Sequence, residues 1–160
     1  MRINAILKES IVDGPGLRYV VFVQGCPHRC TGCHNPQTHD RAGGTEMSTA
    51  ELIADLEGAY TDNPLLQGVT LSGGEPFLYA DELARFARRA KAIGLDVWTY
   101  TGYTLTELAQ RPPRGAEALI EATDALVDGR FEADKRTLER RFTGSANQRI
   151  IVNPFTELAG

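Results

Sequence analysis

Cys26, Cys30 and Cys33 are the only cysteines of the 160-residue chain, and all fall within one run of eight residues. An odd, tightly clustered set is a poor disulfide framework, because any pairing strands one thiol. The C-x₃-C-x₂-C spacing suits instead three thiolates on three corners of one compact iron–sulfur cluster, whose fourth iron stays open to an exogenous group. Structural zinc is the alternative, with His28, His34 or His39 as fourth ligand, and spacing by itself does not separate the two. Three unligated core cysteines fit least: the surrounding segment is too polar to be core, and exposed free thiols oxidise.

Two further groups carry possible chemistry. In Ser72-Gly73-Gly74-Glu75-Pro76 the glycines let backbone approach a ligand closely, and Glu75 can accept from an ammonium group or hold the turn. In Asp128-Gly129-Arg130 the carboxylate can accept from hydroxyls and the guanidinium can pair with a carboxylate; a solvated ion pair at a strand end explains them equally well. Trp98, Tyr100 and Tyr103 fit ordinary packing, and the three histidines are weak candidates for proton transfer.

The elements that must position these groups alternate. Strands are expected at 3–6, Arg18–Val23, 69–71, Asp96–Tyr100, 125–127 and Arg149–Val152, from apolar and β-branched runs bounded by turn residues. Helices are expected after Ser48, an N-cap with Glu51 as its capping-box partner, and at 81–93, 104–109, Ala116–Ala122 and 132–141. Such alternation predicts parallel strands with crossover helices in an α/β fold. Gly25-Cys26, Ser72–Glu75, Thr101-Gly102, Asp128–Arg130 and Asn153-Pro154 each directly follow an expected strand, so one rim gathers them. A complete eightfold barrel takes roughly 250 residues. The expected fold is therefore a partial, open TIM-like βα barrel of about five to six parallel strands, one domain over residues 1–160. Residues 24–46 lack any period, which marks a functional loop or one ordered by something else.

A composition of 42% hydrophobic and 24% charged residues with net charge −4 is that of a globular protein. It disfavours attraction to nucleic acid or an anionic membrane. No run of about eighteen apolar residues is present, and Arg2, Asn4, Lys8 and Glu9 interrupt the first ten residues, so neither a membrane span nor a signal peptide is expected. A cytoplasmic address follows by default.

The run from Phe22 to Pro36, FVQGCPHRCTGCHNP, resembles the signature of the radical S-adenosylmethionine (SAM) superfamily, and more narrowly the glycyl-radical-enzyme activating proteins. Ser72–Pro76 matches that superfamily's glycine-rich element, and Asp13-Gly14-Pro15-Gly16 matches a turn of the activases. Thr101-Gly102-Tyr103, Val127–Phe131 and Gly144–Arg149 are similar to runs in activators of anaerobic ribonucleotide reductase. The resemblance implies a [4Fe-4S] cluster on Cys26, Cys30 and Cys33. It implies SAM at the open iron, contacted by Gly32, Cys33, His34, Gly73, Gly74, Glu75, Asp128 and Arg130. It implies reductive cleavage of SAM to a 5′-deoxyadenosyl radical, which takes a hydrogen atom from a glycine Cα of a partner glycyl radical enzyme, with no side-chain acid, base or nucleophile needed. The implied partner is anaerobic ribonucleoside-triphosphate reductase ahead of pyruvate formate-lyase, with flavodoxin or ferredoxin as electron donor. The short chain and lack of further cysteines favour a macromolecular target over a small-molecule member, such as one like 7-carboxy-7-deazaguanine synthase. Asn147 and Gln148 have no role in this reading beyond a turn.

Overall fold

Four runs rich in β-branched and apolar residues become the centre of the sheet: β2 (Arg18–Val23), β4 (Gly68–Gly73), β5 (Asp96–Tyr100) and β6 (Ala125–Asp128), paired in parallel in that order. The computed structural model describes residues 1–159. Its sheet has seven strands in the order β3-β1-β2-β4-β5-β6-β7, with β1 (Arg2–Ser10), β3 (Thr45–Glu46) and β7 (Arg149–Val152) pairing antiparallel at the two sides.

Two expectations are corrected here. The five to six parallel strands are four, because β6 and β7 are joined by a return without a crossover helix, and such a return leaves the strands antiparallel. The helix expected at 132–141 is only a 3₁₀ turn at Ala133–Lys135. That stretch has helix-forming residues but no apolar stripe to bury, and its Leu138 is 97% exposed.

The helices are α1 (Thr49–Asp62), α2 (Ala80–Ala92), α3 (Leu105–Gln110), α4 (Ala116–Ala122) and α5 (Pro154–Ala159). Ser48 Oγ accepts from the Glu51 N–H at 3.1 Å to cap α1, and Thr104 and Glu107 form a reciprocal capping box on α3. All five send side chains into one core. Tyr19, Val21, Val69, Leu71, Val97 and Leu126 from one sheet face meet Leu56, Phe86, Leu119 and their neighbours. Strand alternation turns Arg18, Val20, Thr70, Trp98 and Tyr100 to the other face. There Arg18 is fully buried: it donates to Thr70 Oγ1 at 2.8 Å, pairs with Asp96 and lies over the Trp98 ring. Among the described residues no helix is long and apolar enough to cross a membrane. What matters for function is the shared direction of β2, β4, β5 and β6, which opens their C-terminal ends on one rim.

Candidate active site

On that rim the chain first satisfies itself. β4 ends at Gly73, Gly74-Glu75 follows it, and the Glu75 side chain is fully buried. One carboxylate oxygen lies 2.7 Å from His28 Nε2 and accepts from the Gly102 N–H at 2.8 Å; the other accepts from the Phe77 N–H at 3.0 Å. The Thr101 hydroxyl donates to the same carboxylate at 2.9 Å. One carboxylate thus joins the loop after β2, the turn after β4 and the turn after β5. Backbone bonds reinforce the joint: the Gly74 N–H donates to the Val23 carbonyl at 2.9 Å and the Glu75 N–H to the Gly25 carbonyl at 2.8 Å.

The glycines follow from this closeness. Gly73 has φ +101° and a Cβ there would strike the backbone nitrogen of Val23, while one on Gly74 would strike the Gly25 carbonyl oxygen. Packed chain, rather than a ligand, sets both requirements. A Cβ on Gly102 would likewise meet the His28 ring, which also packs edge-on against Tyr103.

The cysteine loop is anchored at both ends. Gln24, 1% exposed, donates from its amide to the Gln37 carbonyl at 3.0 Å and to the Asp40 carbonyl at 2.6 Å, and accepts from Asn4 at 3.0 Å. The Gly25 N–H donates to the Thr38 carbonyl at 2.6 Å, and Arg2 holds the Gly43 and Gly44 carbonyls. Gln24 is a positioning residue that sequence reasoning missed; a glutamine at a strand end gives no signal of what lies in reach. Between the anchors, Cys33 makes mainly local bonds, its N–H to the Cys30 carbonyl and its Sγ from the Asn35 N–H. All three thiols are free and half-buried. Burial pushes the Cys26 and Cys30 thiols above the ordinary cysteine value. Backbone N–H groups of His28 and Arg29 oppose the shift at Cys26, and that of Phe131 opposes it at Cys30. Such thiols become thiolates when a metal replaces their protons.

The three cysteines line a cleft of about 120 Å³ together with Gly73, Gly74 and His39. A larger cleft of about 340 Å³ adjoins it through Cys33, Ser72, Tyr100, Phe131 and Gln148, and adds His34 and Thr143. The structure therefore gathers Cys26, Cys30, Cys33, His34, Gly73 and Gly74 on one opening. Gly32 is exposed beside Phe131 and lines neither cleft, and Glu75 lies behind the wall. Asp128 and Arg130 line neither cleft either. Asp128 is 1% exposed, accepts from the Leu105 N–H at 2.9 Å at the start of α3 and pairs with Arg149 at 2.8 Å. Arg130 forms a two-pronged pair with Glu107, both contacts at 2.9 Å. Asn147 and Gln148 acquire roles: their amides donate to the Arg130 and Gly129 carbonyls at 2.8 and 3.0 Å, and Gln148 Oε1 accepts from the Gly144 and Ser145 N–H groups. They pin the last loop against the rim.

Three free thiols on one cleft suit three corners of an iron–sulfur cluster. Among the described residues no three His, Cys, Asp or Glu side chains converge as a single metal ion needs. Thiolates that each bind a different iron of a cluster have no such need to converge on one point. His28 is engaged by Glu75, and the His34 ring packs on Phe131 at 4.9 Å. His39 Nε2 is buried without a hydrogen-bond partner among the described residues.

Comparison with known proteins agrees with this reading. The family model of the 4Fe-4S single cluster domain matches residues 12–151. The chain is 36% identical over 154 residues to the anaerobic ribonucleoside-triphosphate reductase-activating protein of Vibrio cholerae, covering 92% of this chain and 94% of that one. It is 37% identical over 156 residues to the protein of that name from Pasteurella multocida, with coverage of 92% and 94%. The phage T4 protein of that name is 33% identical over 161 residues, covering 96% and 95%. The solved structure of QueE from Escherichia coli is a looser likeness, 20% identical with a TM-score of 0.49, covering 64% of this chain and 52% of that one.

Proposed function

The chain belongs to the family of anaerobic ribonucleoside-triphosphate reductase-activating proteins, built on a 4Fe-4S single cluster domain, and from that premise we propose that it activates such a reductase by raising a glycyl radical on it. It is an enzyme of the radical SAM type, and its cofactors are a [4Fe-4S] cluster and SAM. The observation that carries the reading is the placement of three free thiols around one small cleft that the Gly73-Gly74 turn also lines.

Cys26, Cys30 and Cys33 would hold the cluster, beside the cleft that all three line. When bound, the cluster and SAM supply a one-electron cleavage that yields a 5′-deoxyadenosyl radical. The chain's work is to position and shield. The backbone of Gly73, Gly74 and Cys33-His34, with the Ser72 and Tyr100 side chains, borders the space for SAM. Glu75 fixes that wall from behind, while Asp128, Arg130 and Gln148 fix the strand ends and the last loop. The two adjoining clefts would bring the partner's reacting glycine up to bound SAM and keep water from it. Flavodoxin or ferredoxin supplies the electron, and the cytoplasm, a reducing compartment, keeps the unligated thiols from pairing.

Anaerobic incubation of the reduced, cluster-loaded protein with SAM and the reductase tests this by electron paramagnetic resonance. A glycyl doublet on the reductase is expected. A silent reductase with SAM consumed against a small molecule would sink the proposal.

A further inference from the structure

His39 is the one histidine whose ring nitrogen is left without an explanation. Its Nε2 is buried and has no hydrogen-bond partner among the described residues, although buried polar atoms are nearly always paired. The other two are accounted for: His28 bonds Glu75, and His34 packs on Phe131. His39 also lines the small cleft beside Cys26, Cys30 and Cys33.

The backbone that carries it is held by the chain. The same Gln24 amide that follows β2 holds the Gln37 and Asp40 carbonyls on either side of it, at 3.0 and 2.6 Å. The neighbouring Thr38 is fully buried, with its carbonyl on the Gly25 N–H and its hydroxyl on the Asn35 carbonyl at 2.6 Å. The His39 N–H itself donates to the Pro36 carbonyl at 3.2 Å. With the backbone on both sides held and the ring nitrogen buried beside the three cysteines, His39 is placed to donate to a group bound in that cleft.

We propose that His39 Nε2–H donates a hydrogen bond to a sulfur of the bound cluster, either an inorganic sulfide or the Cys26 thiolate, and thereby sets its reduction potential. The inference rests on the activase reading above. Reduction adds negative charge to the cluster, and an N–H aimed at its sulfur stabilises the reduced form more than the oxidised one, which raises the potential. His39 makes no bond to iron and touches no reacting carbon; it is a positioning and tuning residue.

The test is a redox titration of the anaerobically reconstituted full chain without SAM or partner, comparing wild type with His39→Phe and His39→Gln. Phenylalanine fills the space without a donor, and glutamine restores an N–H at similar reach. His39→Phe should keep its iron content and titrate at a more negative midpoint, by a shift worth about tenfold in the reduction equilibrium, ~59 mV for one electron. His39→Gln should return most of the way. An unshifted midpoint in a fully loaded His39→Phe overturns the proposal, and so does a shift that appears only after SAM is added, since that places the bond on SAM.

A second measurement can overturn the proposal on the wild-type protein by itself. In wild-type protein carrying ¹⁵N-histidine, pulsed electron paramagnetic resonance of the reduced cluster should detect a ring-nitrogen coupling that His39→Gln removes. Absence of that coupling in wild type overturns the assignment. A wild-type chain that takes up no cluster at all overturns the activase reading and this inference with it, which keeps the two failures distinct.

Discussion

Glu75 and the three cysteines lie on the same rim, yet the chain treats them in opposite ways. Glu75 is fully buried and meets donors from His28, Phe77, Thr101 and Gly102, so its carboxylate is saturated by protein. Cys26, Cys30 and Cys33 are half-buried and free, and they share the small cleft with the unpartnered His39 Nε2. The Glu75 carboxylate finds its partners within the chain, while the three thiols stand open on the cleft. A rim tied together by the chain's own bonds can hold cofactors in register.

The largest effect expected is on the centre alone. Cys26→Ala, Cys30→Ala or Cys33→Ala should each abolish SAM cleavage while leaving the far-ultraviolet circular dichroism and thermal midpoint of the apoprotein unchanged. Retained cleavage in any of them would refute the ligand assignment. The apoprotein also separates the regions by proteolysis. Residues 35–44 are tied to Gln24, Gly25 and Arg2 without any metal, so cluster loss should open cuts at 26–34 and leave 35–44 protected. Equal cutting across both segments would erase the distinction. The lack of any period over residues 24–46 does not tell the two segments apart, because the anchoring bonds come from residues that lie in or beside distant strands.

The frame should fail differently. Glu75→Ala leaves the Gly102 and Phe77 N–H groups without an acceptor and removes a buried charge from its partners, at a cost of about 3–5 kcal/mol. Urea denaturation of the apoprotein reads it, and a wild-type midpoint would show that the carboxylate is no keystone. Gly74→Val comes next. Its Cβ runs into the Gly25 carbonyl, a backbone atom next to Cys26, so the expected overpacking cost is about 1–3 kcal/mol. Cluster uptake and SAM binding should then fall together. A variant that loads iron fully and loses only SAM affinity would mean that the glycine serves the ligand and not the packing.

The centre was legible in the sequence and the frame mostly was not, for physical reasons. Three cysteines at C-x₃-C-x₂-C leave few alternatives, because thiol chemistry is local and the spacing is in the chain itself. β2, β4, β5 and β6 were legible because buried parallel strands read as apolar runs closed by turns. β1 runs on past the expected 3–6 to Ser10: Leu7, Lys8 and Glu9 are exposed, so no apolar signal marks that part of the strand. Asp128 and Arg130 stood where a cofactor contact or an ion pair could be, and the same two residue types serve both. Only the fold reveals that Arg149 and Glu107 reach them first. The meaning of Gln24 and Gln148 depends on which carbonyls come within reach, which is set by the register of distant strands.

The smallest effect belongs to the edge of the frame, where the Arg130 guanidinium grips Glu107 and holds its carboxyl well below the ordinary 4.5, at about 2. A lowered value in the folded state means that the charged form stabilises the fold. The contribution is full above pH 4.5 and is lost as pH falls through about 2. Both side chains are more than one-third exposed, 43% and 38%, so solvent screening keeps the pair below about 1 kcal/mol. Wild type should exceed Glu107→Gln in stability by that small margin at neutral pH, and the two denaturation midpoints should converge by about pH 2. A gap that persists unchanged into acid would assign the difference to the capping box with Thr104, which the neutral amide then fails to mimic, and not to the charge. A gap much larger than this at neutral pH would place Arg130 and Glu107 with Glu75 among the groups that hold the site in shape.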